Sequence, residues 1–206
     1  MKRSSPYVIG LTGGIASGKS TLSAALRRAG APVIDADKIS HELTIVDGLA
    51  LPALRDAFGE SIFTGVALDR RALAERVFGD EEALERLNGI MHPLIMEEIQ
   101  RQMESLQNEP AVIWDIPLLF ETGWDKQCDE VWCAWAPVWI QLRRLIKRDG
   151  LTLREARQRI KSQMPGREKR RLADHAITTT GTKADSARHA LKLWNTALKK
   201  VNSAQQ

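Results

Sequence analysis

The sequence predicts an α/β fold of three layers, built on a central parallel sheet of five strands with a helical domain inserted after the second strand. Three observations predict it. Short apolar runs alternate with helical patterns at both ends of the chain. A glycine-rich turn joins the first apolar run to the first helix. Residues 38–108 then carry helical periodicity with no comparable strand.

The elements follow in order. Tyr7 to Thr12 is a short buried strand. Lys19 to Arg28 is a helix, with apolar or small residues at 22, 25, 26 and 29 and Gly30 as its stop. Pro32 to Asp35 is the second strand. Helices or helical turns are expected at Ile39–Leu43, Leu49–Phe58, Arg70–Phe78, Glu81–Ile90 and Leu94–Leu106, punctuated by Asp47-Gly48, Gly59, Thr64-Gly65 and Gly79-Asp80. Ala111–Asp115 and Glu130–Ala134 return to strand character. A basic helical region spans Pro137–Arg171, His175–Thr178 is the last strand, and a helix from Lys183 to Lys199 closes the pattern. The expected organisation is a core of residues 1–37, 109–136 and 172–206, an inserted helical domain of residues 38–108, and a basic helical segment of residues 137–171.

Composition excludes several classes. With 43% hydrophobic and 27% charged residues in 206, the chain is a globular protein with a real core. Its two cysteines, Cys128 and Cys133, make no disulfide framework and sit in apolar surroundings as small hydrophobes. Four scattered histidines give no zinc spacing. Met1 to Pro6 has a basic start but makes a poor signal peptide, and the apolar run Val131–Ile140 is about half a membrane span. The expectation is a cytoplasmic protein without a membrane partner. No exposed apolar helix or coiled-coil repeat is evident, so a monomer is expected. The net charge is +4, which invites a nucleic-acid reading. Residues 141–171, however, hold 12 Lys and Arg against 3 Asp and Glu, and the remainder is net −5. No aromatic residue interleaves with that basic run, which speaks against nucleic acid.

Gly13-Gly14-Ile15-Ala16-Ser17-Gly18-Lys19-Ser20 satisfies G-x-x-x-x-G-K-[ST] between a strand and a helix. Glycines let backbone N–H groups converge on phosphate oxygens, and the helix start through Thr21 adds free N–H groups. Lys19 brings a mobile charge to the β- and γ-phosphates, and the Ser20 hydroxyl suits Mg²⁺. A nucleotide's phosphates with Mg²⁺ are therefore the expected ligands. The plain alternative is a glycine turn beside a surface lysine.

Ligands of open α/β sheets sit at the carboxyl ends of the strands. Asp35 and Asp37 follow the second strand and Asp115 ends the third. Asp37 is the first candidate for a base that takes a hydroxyl proton; Asp35 and Asp115 are candidates for holding metal or metal-bound water. Asp35 can equally be a helix cap or turn former, and Asp115 a structural carboxylate. Arg144 and Arg148 stand four apart, so one helical face presents both to a transferring phosphoryl group; a solvated surface is the alternative.

Thr182-Lys183-Ala184-Asp185 is similar to the guanine-reading motif of GTPases, but the run Asp115-Ile116-Pro117-Leu118 lacks the glycine a switch GTPase needs. It is read as a turn and cap for the last helix. Together the phosphate loop, Val33-Ile34-Asp35-Ala36-Asp37, Leu68-Asp69-Arg70, Leu87 to Pro93, Asp115-Ile116-Pro117-Leu118-Leu119-Phe120-Glu121, and Gln141, Arg144, Arg148-Asp149, Arg159-Ile160 and Gln163 closely resemble the dephospho-CoA kinase family of P-loop kinases. The resemblance runs from about Val8 to Thr182. It implies transfer of the ATP γ-phosphate to the ribose 3′-hydroxyl of dephospho-CoA, a CoA domain in residues 38–108 and a lid in residues 137–171. It implies Asp37 as base and Lys19 and Arg144 as stabilisers of the phosphoryl group. Gly13 to Thr21, Arg144, Arg148 and Thr179 would contact nucleotide; Asp37, Arg70, His92, Pro93 and Leu118 would line the acceptor side; Ser20, Asp35 and Asp115 would attend the metal. His92 taken alone is equally a structural histidine. Two departures stand out: Ala16 where the family has glycine, and Thr179 where it often has Asn, an amide that would serve the adenine side. Other small-molecule or nucleotide kinases of the same fold, and a nucleotide-dependent nucleic-acid-binding protein, are the alternatives weighed.

Overall fold

The computed structural model describes residues 5–204 and divides the chain into two compact units, one running through Asp35 and resuming at Leu106, the other Ala36–Ser105. In the first unit the strands are β1 (Tyr7–Gly13), β2 (Val33–Asp35), β5 (Ala111–Asp115), β6 (Glu130–Trp135) and β7 (His175–Thr178). All are parallel, in the order β2-β5-β1-β6-β7. β1 is central and buried along its whole length, which explains its mostly apolar sequence, and the buried hydroxyl of Thr12 donates to the Pro117 carbonyl. Helices α1 (Lys19–Arg28) and α9 (Lys183–Ala204) cover one sheet face. There Leu22, Leu26, Ala190, Trp194 and Val201 pack on Ile9, Leu11, Ile113 and Trp132. The other helices of this unit are α6 (Val138–Asp149), α7 (Leu153–Lys161) and α8 (Gly166–Leu172). The predicted three-layer α/β fold is the observed one.

Both cysteines behave as small apolar groups. Burial pushes the Cys128 thiol up to about 12 and that of Cys133 to about 11, so neither is a nucleophile at neutral pH.

Glu130 begins β6 and is nearly buried. It accepts from the Tyr7 hydroxyl at 3.0 Å and the Trp132 indole N–H at 2.6 Å, and faces His175 at 3.2 Å. Lys200 of α9 donates to the Tyr7 oxygen at 2.9 Å. The network ties β1, β6, β7 and α9 together. Glu130→Leu strands the Trp132 N–H in the core, and unfolding by urea is expected to show a loss of about 2–4 kcal/mol; an unchanged midpoint would remove the network as a source of stability.

The second unit holds α2 (Ala36–Glu42), α3 (Leu51–Phe58), a two-stranded hairpin of β3 (Phe63–Thr64) and β4 (Ala67–Leu68), α4 (Arg70–Val77) and α5 (Glu81–Ser105). Two features depart from the sequence reading. The hairpin stands where a turn alone is expected, because two-residue strands around Gly65 leave no periodic signal. The helices expected at Glu81–Ile90 and Leu94–Leu106 are one helix with Pro93 inside. Proline removes one N–H and crowds the carbonyl four residues back, here that of Gly89. Buried Met91, Ile95 and Ile99 anchor the helix on both sides of that defect.

Candidate active site

β1 delivers the chain to the phosphate loop, and two glycines there are demanded by space. A Cβ on Gly13 would stand 2.6 Å from both the Ala134 carbonyl oxygen and Ser17 Oγ. Gly18 has φ +97°, and a Cβ on it would meet Thr179 at 3.0 Å. Ala16 adopts φ +56°, a left-handed conformation that suits glycine better. Its carbonyl accepts from Arg144 Nη1 at 3.1 Å, which helps hold it there. Gly18 brings no capping side chain to α1, so the first turn of that helix presents uncapped N–H groups to an anion.

Lys19 and Asp115 form an ion pair, the carboxylate nearly buried at the end of β5. Arg144 donates three hydrogen bonds, to the Ala16 carbonyl, the Thr179 hydroxyl and the Thr179 carbonyl. The Thr179 hydroxyl in turn donates to the Ser17 carbonyl, and the Thr179 N–H to the Trp135 carbonyl at 2.9 Å. Thr179 therefore serves the loop itself: its side chain is spent on protein atoms. Arg148 is paired with Asp149, its Nε to Oδ1 at 2.6 Å and its Nη2 to Oδ2 at 2.9 Å. Asp35 is paired with Arg27 at 3.0 Å.

Ala16, Gly18, Ser20, Thr21, Arg144, Arg148 and Thr179 line one cavity of about 450 Å³, completed by Lys147, Gly181, Lys183 and Ser186. None of these last four is a candidate site residue in the sequence reading, where Lys183 enters only in the run read as a turn and cap for the last helix. Lys147 does fall on the Arg144–Arg148 face, and Lys183 opens the last helix just after the capping Thr182, whose hydroxyl accepts from the Asp185 N–H at 3.1 Å. The cavity has a cationic rim over a loop of backbone donors. That is the environment a triphosphate requires.

Leu118 is exposed on the loop after β5, and Pro117 beside it accepts from Thr12 Oγ1 at 2.9 Å. In the second unit Asp37 is the second residue of α2 and is exposed. Arg70 opens α4 and donates through Nη2 to His41 Nδ1 at 2.8 Å, at the C-terminal end of α2. His92 is half-buried in α5, where burial lowers its pKa and favours the neutral ring. Pro93 follows it.

Among the described residues, no three His, Cys, Asp or Glu side chains gather as a metal cage. Mg²⁺ held by one or two protein oxygens and the nucleotide's phosphates needs none, and the Ser20 hydroxyl and Asp115 carboxylate have the oxygen chemistry for it. Among the same residues no helix is long and apolar enough to cross a membrane.

Residues 7–185 match the family model described as dephospho-CoA kinase. A dephospho-CoA kinase of Symbiobacterium thermophilum is 47% identical over 178 residues, covering 85% of this chain and 74% of that one. A crystal structure from Thermus thermophilus superposes with a TM-score of 0.84 at 36% identity, covering 93% of this chain and 97% of that one. The dephospho-CoA kinase structure from Campylobacter jejuni gives a TM-score of 0.63 at 29% identity, with the same 93% and 97% coverage.

Proposed function

The chain belongs to the dephospho-CoA kinase family and is an ATP-dependent kinase that phosphorylates dephospho-CoA to CoA; we propose that the γ-phosphate is received by the ribose 3′-hydroxyl and that the cavity above the phosphate loop holds the triphosphate. The observation that carries this reading is the loop between β1 and α1, whose Ala16, Gly18, Ser20 and Thr21 line a cavity rimmed by Arg144, Lys147, Arg148 and Lys183.

In this reading the loop from Gly13 to Thr21 wraps the phosphates with its available backbone N–H groups, the Ile15 N–H being held by Gln163. Lys19 turns from Asp115 towards the β- and γ-oxygens as charge develops there. Arg144 keeps the loop in shape through the Ala16 carbonyl and offers its remaining donors to the transferring group. Asp37 orients the acceptor hydroxyl and takes its proton, while Arg70, His92, Pro93 and Leu118 line the acceptor side. Ser20 and Asp115, with Asp35 through water, would hold Mg²⁺, which would supply positive charge against the phosphates. Within the basic segment of residues 137–171, the α6–α7 part closes over the nucleotide and excludes water. The chain works as a monomer in the cytoplasm on a small molecule, without nucleic acid or membrane. The confinement of the basic excess to residues 141–171 favours a compact anion over a nucleic acid.

The test offers the purified chain ATP·Mg²⁺ with dephospho-CoA, nucleoside monophosphates, pantothenate or adenosine, and weighs the products. A gain of one phosphoryl group on dephospho-CoA, giving CoA, is expected; phosphorylation of another acceptor in its place would sink the reading.

A further inference from the structure

The segment between α7 and α8 makes contacts that none of the roles above uses. Gln163 Oε1 accepts from the N–H of Ile15, inside the phosphate loop, at 2.8 Å. The next residue, Met164, donates its N–H to Glu121 Oε1 at 3.0 Å. Five residues on, the fully buried Lys169 donates to the same Glu121 oxygen at 2.8 Å and to the Pro117 carbonyl at 2.7 Å. Arg170 stacks on the Trp135 ring at 4.5 Å from its centroid. A buried ammonium is tolerated because it is paired and hydrogen-bonded, and removing either partner leaves a charge stranded in the core.

We propose that residues 163–169 form a fixed strap across the carboxyl ends of β1 and β5, and that Gln163 is a positioning residue for phosphoryl transfer. Its amide oxygen holds the first half of the phosphate loop at Ile15, as Arg144 holds it from the other side at the Ala16 carbonyl. Between these two ties lies Ala16 in its left-handed conformation, which needs surroundings that over-determine it. The root of the strap, Glu121 with Lys169, grips the loop that starts at Asp115, the partner of Lys19. One segment therefore sets the position of the loop backbone and braces the element that carries the lysine's counter-ion. The Ile15 N–H is committed to Gln163 and stays so when nucleotide binds; the remaining loop donors hold the phosphates. This inference deepens the kinase reading and rests on it.

The decisive variant is Gln163→Leu, similar in size and at a partly exposed position, so the fold survives. Steady-state turnover of dephospho-CoA and direct titration of ATP are measured for wild type and variant. The expected result is a fall in kcat of about tenfold, the scale of one neutral hydrogen bond, with the ATP dissociation constant changed by less than about threefold. Gln163→Glu restores an acceptor for the Ile15 N–H but sets an anion beside the phosphates. It should recover kcat at saturating ATP while weakening ATP binding in a salt-sensitive way. Tighter ATP binding by Gln163→Leu with unchanged kcat would mean a plug displaced by phosphate, and overturns the proposal; unchanged values of both overturn it too. A wild-type chain without turnover on dephospho-CoA would sink the kinase reading itself, whereas active wild type beside an unaffected Gln163→Leu sinks this inference alone.

Discussion

Asp37→Asn is expected to lower kcat by a factor of about 10²–10⁴ while ATP binds as in the parent chain. Asparagine keeps the size and the hydrogen-bonding reach of the side chain but cannot take a proton from the acceptor hydroxyl. Asp37 is exposed in the first turn of α2, so no buried charge is lost and the melting temperature should hardly move. Turnover against dephospho-CoA, ATP titration and thermal unfolding together separate the three effects. Turnover within about threefold of wild type would take Asp37 out of the role of base.

Lys19→Ala carries two losses that can be told apart. The first is catalytic: without its ammonium the β- and γ-phosphates lose a positioned charge, and a fall in kcat of about 10²–10³ is expected. The second is structural. The Asp115 carboxylate is nearly buried and paired with Lys19, so deleting the lysine leaves an anion stranded at the end of β5. Breaking such a pair from one side costs about 3–5 kcal/mol. The double variant Lys19→Ala with Asp115→Asn removes the stranded charge. Its stability should return most of the way to wild type while turnover stays low, from the lost lysine charge and the lost Asp115 carboxylate together; Asp115→Asn alone gives the second share. Recovery of turnover along with stability would show that the lysine acts on the fold and not on the phosphates.

The parts of this molecule that were legible in its sequence are those where one residue type has one physical use. Glycines at 13 and 18, followed by Lys19 and Ser20, leave little choice, and the structure supplies the reason: a side chain at either glycine would collide with β6 or Thr179. β1, β5 and β6 were legible because each is a mostly apolar run bounded by turn residues, while β2 and β7 are three and four residues long and carry a weaker signal. What was not legible depends on partners distant in sequence. Lys169 lies in a run of basic residues that local pattern does not tell apart, yet it is fully buried, because Glu121 and the Pro117 carbonyl meet it from 48 and 52 residues away. Gln163 is an ordinary polar residue until Ile15, 148 residues earlier, is seen beneath it. Pro93 misleads in the opposite sense: its local rule is to end a helix, and packing of Met91, Ile95 and Ile99 overrides it. Asp35, read as a metal or capping group, is held by Arg27 eight positions earlier, across the α1–β2 connection.

The inserted unit leaves the chain after β2 and returns before β5, two strands that are neighbours in the sheet, with β2 at its edge. Closing a chain excursion costs free energy only as the logarithm of its length, so an insert of this size costs about 2 kcal/mol more than a ten-residue crossover. Edge position means that exchanging the insert disturbs one short strand and leaves the pairings of β1 untouched. The fold is thus modular in the evolutionary sense. Descent with modification can lengthen, shorten or replace the excursion while the phosphate cradle is inherited unchanged, and new acceptors can be recruited to an old donor site.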